Sequence, residues 1–426
     1  MLEQEVNFNR DISRRQFIQL AGTVFIAGTL SACESSASPL PSEQEILSQI
    51  KELHFTPGSQ LRTTFCPRKE MWESAQYLKM QGNWSGGDSS NWMQHTEIIE
   101  KNITALANAG FKGGRLAIFP FELTNDGNNF DFSPIETALD LMNKHDMTAD
   151  FCVGPFDYPY GPGIRVPKSF QERLQTEVVD QGENTIIVSL SSDPKARVLS
   201  ADLRDYELHF LDTVLKKYGD DPRIAKFYLG NEWPDKHGIE GVSATMSVSN
   251  TFMEEAVARM LAGTDKEIAL NTNIYAGDVT KLQTTFGKIF TMLGKKGILG
   301  IDAYPTREAQ IPRMATQMKN YGHNIQAIRN AFPGTDIVFT EFQGELYAQP
   351  PLAGKSWADI EKNYPTEVKT FFQRDFPPTL KTYVVASGIK EVGIWGAPLW
   401  YVTGQMGYTL PLDMMHTIAD TMDKKK

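Results

Sequence analysis

From about residue 61 to residue 422 the chain alternates short apolar runs with longer stretches whose apolar positions return every three or four residues. The short runs read as strands buried on both faces, and the longer stretches as amphipathic helices packing one stripe against them. Strands are expected over 61–65, 114–119, 148–153, 224–229, 267–273, 297–302, 336–342 and 391–395. Helices are expected over 96–108, 135–144, 201–218, 243–262, 279–293, 311–330 and 412–422, with helical segments between 357 and 387. In the first of these helices Ile98, Ile99, Ile103 and Leu106 share one face.

Residues 157–200 break the rhythm with a Pro- and Gly-rich excursion. Within it, 176–180 and 185–190 are expected to form a hairpin around Gln181-Gly182-Glu183-Asn184. An insertion of that length in a compact fold usually has a function. No Gly/Pro-rich linker divides the chain after residue 61, so the alternation belongs to one domain. Eight strands with helices between them predict an α/β fold, a (β/α)8 TIM barrel. An open doubly wound sheet fits less well, because no glycine-rich dinucleotide fingerprint follows the first strand.

The amino terminus is read apart from the fold. Ser13-Arg14-Arg15-Gln16-Phe17-Ile18 matches the twin-arginine export pattern and precedes an uncharged stretch, 20–32, too short to span a bilayer as a permanent helix. That stretch ends in Leu30-Ser31-Ala32-Cys33, which resembles the lipobox of bacterial lipoproteins and implies acylation of Cys33. An ordinary signal sequence ending at a chance cysteine is the simpler alternative. The expected organisation is a signal peptide over 1–32, a tether over 33–55, and a catalytic domain over 56–426. The expected partners are the export machinery and a membrane face reached through the lipid, and the expected location is exported and lipid-anchored.

Composition narrows the picture. At 41% hydrophobic and 22% charged residues the chain can bury a large core, and a net charge of −10 without basic clusters leaves nucleic acid no footprint. The segment 1–32 holds three basic and three acidic residues, so its removal leaves the charge unchanged. Besides Cys33 only Cys66 and Cys152 remain, as a pair or as separate thiols. No Cys/His cluster has zinc spacing, and neither metal nor organic cofactor is expected.

Candidate chemistry lies at two strand ends. The apolar run 224–229 stops at Gly230 and is followed by Asn231-Glu232-Trp233-Pro234, and the run from Asp336 ends in Thr340-Glu341-Phe342. A carboxylate placed where a strand leaves the core is held by rigid backbone yet can face a cleft, as acid/base chemistry requires. In a barrel every strand delivers its carboxyl end to one rim, so two glutamates 109 residues apart become neighbours.

Asn-Glu after strand four with a second Glu after strand seven resembles glycoside hydrolase clan A, the retaining glycosidases that include family 5 cellulases and mannanases. Gly110-Phe111-Lys112-Gly113-Gly114-Arg115-Leu116 is similar to the clan's second strand, and Ile301-Asp302-Ala303-Tyr304-Pro305 to its sixth. The resemblance implies that Glu232 is the general acid/base and Glu341 the nucleophile, with Arg115 and Tyr304 supporting Glu341. It further implies that Asn231 hydrogen-bonds a sugar 2-hydroxyl and that Trp395 stacks on sugar. Many family 5 members carry His where this chain has Asp302, so the local hydrogen bonding is expected to differ. Glu341-Phe342-Gln343-Gly344 also resembles the clan's β-galactosidase families, which leaves the sugar open.

The tryptophans point the same way. Trp72, Trp84, Trp92, Trp233, Trp357, Trp395 and Trp400 all fall in or beside expected rim loops, where flat apolar rings suit the C–H faces of sugars. Trp84 and Trp400 are further candidate platforms, and packing in loop-to-barrel gaps is the plainer role. Two rival functions remain: a non-catalytic glycan-binding lipoprotein on the same scaffold, and a metal-assisted hydrolase. The latter would want His and Asp at several strand ends, which here carry mainly Glu, Asn and Tyr.

Overall fold

The computed structural model describes residues 40–65, 96–118, 120, 123, 129–154, 187–190, 193–198, 201–233, 237–238, 244–247, 249–272, 274, 276–305, 321–344, 365–397, 400, 404 and 407–423. Twelve strands lie among them, in chain order β1 (Gln60–Phe65), β2 (Gly113–Ala117), β3 (Thr148–Cys152), β4 (Ile187–Leu190), β5 (Asp193–Val198), β6 (Ile224–Tyr228), β7 (His237–Gly238), β8 (Ala244–Ser247), β9 (Glu267–Thr272), β10 (Gly297–Ala303), β11 (Asp336–Gln343) and β12 (Glu391–Trp395). Eight of these, β1-β12-β11-β10-β9-β6-β3-β2, close into a parallel barrel, the expected (β/α)8 architecture. Closure comes from β1, which pairs with β2 on one side and β12 on the other.

Helices connect the strands: α1 (Glu43–Lys51), α2 (Thr96–Asn108), α3 (Ser133–Lys144), α4 (Ala201–Tyr218), α5 (Asn250–Gly263), α6 (Val279–Leu293) and α7 (Tyr321–Ala331), then a helical run from Pro365 to Val385 and a last helix Leu410–Asp423. α6 faces the barrel with the stripe its spacing predicts, burying Leu282, Phe286, Ile289, Phe290 and Leu293. Asp278 starts that helix by accepting from the Lys281 N–H at 3.1 Å. Helix α1 lies within the stretch expected as tether. It opens on a capping box in which Ser42 and Glu45 serve each other's backbone N–H, and it buries Ile46 and Ile50 in the main core.

One expectation is corrected at a second, four-stranded sheet of order β5-β4-β8-β7. Residues 176–186 of the expected hairpin lie outside the described residues; Ile187–Leu190 pairs with β5 and with β8. Residues 244–247, expected as the first turn of a helix from 243, are the strand β8. Helix α5 instead starts after Ser249, whose side chain accepts from the Phe252 N–H at 3.2 Å.

Inside the barrel the strands alternate as parallel strands must, with one set of side chains turned to the axis. At the amino-terminal end of the strands this interior is charged: Arg62 grips Asp150 through two 2.6 Å bonds, and Lys226 bonds both Glu391 oxygens at 2.5 Å. Burial opposes ionisation of Glu391, but Lys226 and then Arg62 outweigh it and hold the carboxyl below its ordinary range. Above this layer Ala117, Cys152, Tyr228, Ala269, Ile298 and Val338 pack together, one from each of six strands. The functional candidates gather at the carboxyl end beyond these, where the long side chain of Arg115, two residues before Ala117 on β2, reaches Glu341. Among the described residues no helix is long and apolar enough to cross a membrane.

Candidate active site

Five strands converge on one buried cluster. Arg115 comes from β2, Asn231 and Glu232 follow β6, Asn271 belongs to β9, Asp302 and Tyr304 belong to or follow β10, and Thr340 and Glu341 belong to β11. Glu341 is 1% exposed and is held at both oxygens: Arg115 Nη2 donates to Oε1 at 2.5 Å, and the Tyr304 hydroxyl donates to Oε2 at 2.5 Å. The same guanidinium donates from Nη1 to Asn231 Oδ1 at 3.1 Å. Burial alone would weaken the Arg115 charge, but Glu341 above all, with neighbouring acidic groups, overcomes it and raises the guanidinium further above its usual value. Arg115 also lies over the Tyr228 ring, 5.4 Å from its centroid.

Glu232 enters the cluster through an unusual backbone. Gly230 has φ 75° and Glu232 φ 51°, the left-handed region that a glutamate seldom adopts. With left-handed residues on both sides of Asn231, the chain turns sharply out of β6 instead of continuing its alternation. The Glu232 N–H is held by Asn271 Oδ1 at 3.2 Å. Residues strained in this way cluster at functional sites, where surrounding contacts enforce them.

A third carboxylate completes the group. Asp302 Oδ1 accepts from the Thr340 hydroxyl at 2.7 Å, and Oδ2 accepts from Asn271 Nδ2 at 3.3 Å. One oxygen from each of Glu232, Asp302 and Glu341 lies within 4.8 Å of the others. Burial, followed by the negative charges of Glu341 and Glu232, raises the Asp302 carboxyl well above its ordinary value despite Arg115 and the Thr340 bond. Three such oxygens could hold a cation. Glu341 and Asp302, however, each already have two protein donors, with which a metal would compete.

Thr340 and Glu341 are consecutive yet both point inward. Their neighbours Phe339 and Phe342 pack on the outer helices, against Tyr321 at 5.9 Å and Phe376 at 5.9 Å between ring centroids. A bulge explains the out-in-in-out order. The register of β11 slips against β10 between Ile301 and Asp302, and against β12 between Phe339 and Phe342.

Of the expected site residues, Arg115, Asn231, Glu232, Tyr304 and Glu341 come together in this cluster. Trp395 ends β12 in the same layer, but it is 2% exposed and presents no open ring face, so the expected sugar platform is covered here. Trp400 is a packing residue: its Nε1 donates to Gly344 O at 2.8 Å and its ring meets Phe111, Phe372 and Phe376. Trp233 likewise packs edge-on against Phe286. Trp72, Trp84, Trp92 and Trp357 lie outside the described residues, as do Cys33 and Cys66. Cys152 is buried, and its thiol donates to Gly230 O at 3.8 Å.

Asn271 and Thr340 were not anticipated. Asn271 had a usable signal, a polar side chain at the end of an apolar run, the same signal that marked Glu232. Thr340 had none, because regular alternation places it opposite Glu341.

No protein-family model matches the chain, and no curated protein matches it by sequence. In structure it is similar to GH5_18 from Streptomyces cattleya in complex with GlcNAc, at a TM-score of 0.52 and 10% identity over 87% of this chain and 81% of that one. The endo-1,4-beta-mannanase from Rhizomucor miehei follows at a TM-score of 0.48 and 12% identity, covering 87% of this chain and 95% of that one. Xylanase 10B from Thermotoga maritima has a TM-score of 0.45 and 12% identity, over 90% of this chain and 99% of that one. The chain therefore has the (β/α)8 barrel fold that the S. cattleya glycoside hydrolase also has.

Proposed function

We propose that the protein is a retaining glycoside hydrolase that cleaves β-glycosidic bonds of an extracytoplasmic poly- or oligosaccharide by double displacement. One observation carries the reading. Glu232 and Glu341 bring carboxylate oxygens within 4.8 Å of each other, and Glu341 is gripped by one cation and one hydroxyl. Retaining enzymes set their carboxyl groups about 5 to 5.5 Å apart, whereas inverting enzymes leave roughly 6.5 to 9.5 Å for a water.

In the first step Glu341 attacks the anomeric carbon while Glu232 gives its proton to the departing glycosidic oxygen. The C–O bond to the leaving group breaks as the ester bond to Glu341 forms. In the second step Glu232, now a carboxylate, takes a proton from water. That water attacks the anomeric carbon and releases Glu341. Arg115 and Tyr304 hold the nucleophile in one rotamer for attack, so its alignment is set before substrate arrives. Export through the twin-arginine route and acylation at Cys33 belong to the same proposal, supported by the pattern from Ser13 to Cys33.

The test is hydrolysis of aryl β-glycosides and β-linked polysaccharides by the full chain, with the released anomer followed by proton NMR. Retained configuration is expected, with kcat/KM lowered about 1000-fold or more in Glu232→Gln and in Glu341→Gln on substrates with unactivated leaving groups. Glycan binding without cleavage would favour a non-catalytic binding protein. Inverted product would mean a different carboxylate pair, and activity abolished by chelation a metal-assisted reaction.

A further inference from the structure

Two side-chain amides lie between Arg115 and Asp302, and their surroundings allow each only one orientation. A backbone N–H can only donate, so the Asn271 atom 3.2 Å from Glu232 N is the amide oxygen. Its Nδ2 therefore lies 3.1 Å from Asn231 Oδ1 and 3.3 Å from Asp302 Oδ2, with one hydrogen for each. A guanidinium also only donates, so the Asn231 atom 3.1 Å from Arg115 Nη1 must be its oxygen. That oxygen now accepts twice, from Arg115 and from Asn271. Both hydrogens of Asn231 Nδ2 are left to donate elsewhere. Flipping either amide would set N–H against N–H in a buried site, where an unmet donor costs about 1 to 3 kcal/mol.

Asp302 anchors the far end. Its Oδ2 accepts from Asn271 whether or not Oδ1 carries a proton, and Thr340 holds the carboxyl from the other side. Gly300 makes room for this contact: a Cβ there would sit 2.4 Å from Thr340 Cγ2 and 3.0 Å from Asn271 Cβ. Asn271 is 1% exposed, so it acts through its neighbours and does not touch substrate.

We propose that Asn271, with Asp302 as its second acceptor, is a positioning residue that locks Asn231 as an obligate donor to an oxygen at C2 of the substrate sugar and holds Glu232 in its left-handed backbone. The inference rests on the glycosidase reading above, with the contact of Asn231 to a sugar 2-hydroxyl that the resemblance implies, and goes beyond it in assigning the lock to Asn271.

The experiment measures kcat/KM of the full chain on the 4-nitrophenyl β-glycoside it cleaves best and on the 2-deoxy counterpart. Asn271→Ala and Asn271→Asp are compared with the unchanged protein. Asn271→Asp keeps an acceptor for the Glu232 N–H but loses both donated bonds, so it separates the amide lock from the backbone contact. For Asn271→Asp the expected loss is about 100-fold on the 2-hydroxy substrate and less than about 5-fold on the 2-deoxy one, the scale of losing one preorganised donor. For Asn271→Ala the 2-hydroxy substrate is again expected to lose more. Equal losses on both substrates, whether from misfolding or from a purely structural role, would overturn the inference, and so would unchanged kinetics in Asn271→Asp. If the unchanged protein cleaves neither substrate, the glycosidase reading itself fails before any variant is compared, and this inference falls with it.

Discussion

Glu232 shows how one residue departs from local preference when its neighbours enforce it. A glutamate at φ 51° costs on the order of 1 kcal/mol, and the buried Asn271 contact to its N–H offsets that cost. Glu207, on α4, is a different case. It is 3% exposed, and burial pushes its carboxyl up to about 8 from an ordinary 4.5. The native protein keeps that proton to about pH 8, whereas the unfolded chain releases it near pH 4.5. Between these values the unfolded state binds fewer protons, so Glu207 makes stability fall as pH rises. Glu207→Gln should remove this contribution to the slope, leaving stability little changed near pH 4 and raising it by on the order of 4 kcal/mol near pH 8. Urea denaturation of both proteins at the two pH values checks this, and a difference independent of pH would refute it. Residue type and strand position were enough to single out Glu232 and Glu341, whereas Arg115, Asn231 and Tyr304 were marked only through the resemblance to a known family. Type and position were not enough for Trp400, because a tryptophan in a rim segment looks the same whether its ring faces sugar or, as here, Phe111, Phe372 and Phe376.

At the scale of elements, the bulge in β11 decides the site. It turns Thr340 and Glu341 inward together, so one strand contributes both the candidate nucleophile and the hydroxyl that holds Asp302. Gly300 on β10 is the matching concession. Gly300→Ala should destabilise the protein by about 1 to 3 kcal/mol, since a Cβ 2.4 Å from Thr340 Cγ2 forces β10 and β11 apart. Activity should fall with it as the Asp302 contacts move. Denaturant titration and kcat of the same preparation test both, and an alanine variant as stable and active as the original would show that the strands give way easily. Apolar spacing located the barrel strands and α6 closely because each buries its own stripe. It failed over 244–247, which form β8, because the pairing of β8 with β4 is chosen by chain segments distant in sequence.

Over the whole molecule the barrel interior is polar at both ends and apolar between. The lower layer sets two buried ion pairs, Arg62 with Asp150 and Lys226 with Glu391, against one another across the axis. Removing one partner leaves a buried charge unmet, so Lys226→Met should cost about 3 to 5 kcal/mol at neutral pH. The loss should shrink at acid pH, where Glu391 can protonate; thermal unfolding at pH 7 and pH 4 measures it, and an equal loss at both would contradict the ion-pair account. The sequence by itself determined the strand and helix alternation, hence the barrel, because a strand buried on both faces and an amphipathic helix leave that signature in apolar spacing. It also determined that glutamates 232 and 341 end strands, and a barrel brings strand ends to one rim. Only the tertiary structure decided that Asp302 joins them, that Asn271 ties Asn231 to Glu232, and that Trp395 and Trp400 are covered. Those outcomes depend on register, on a one-residue bulge and on a glycine's missing side chain, and contacts between separate strands set all three.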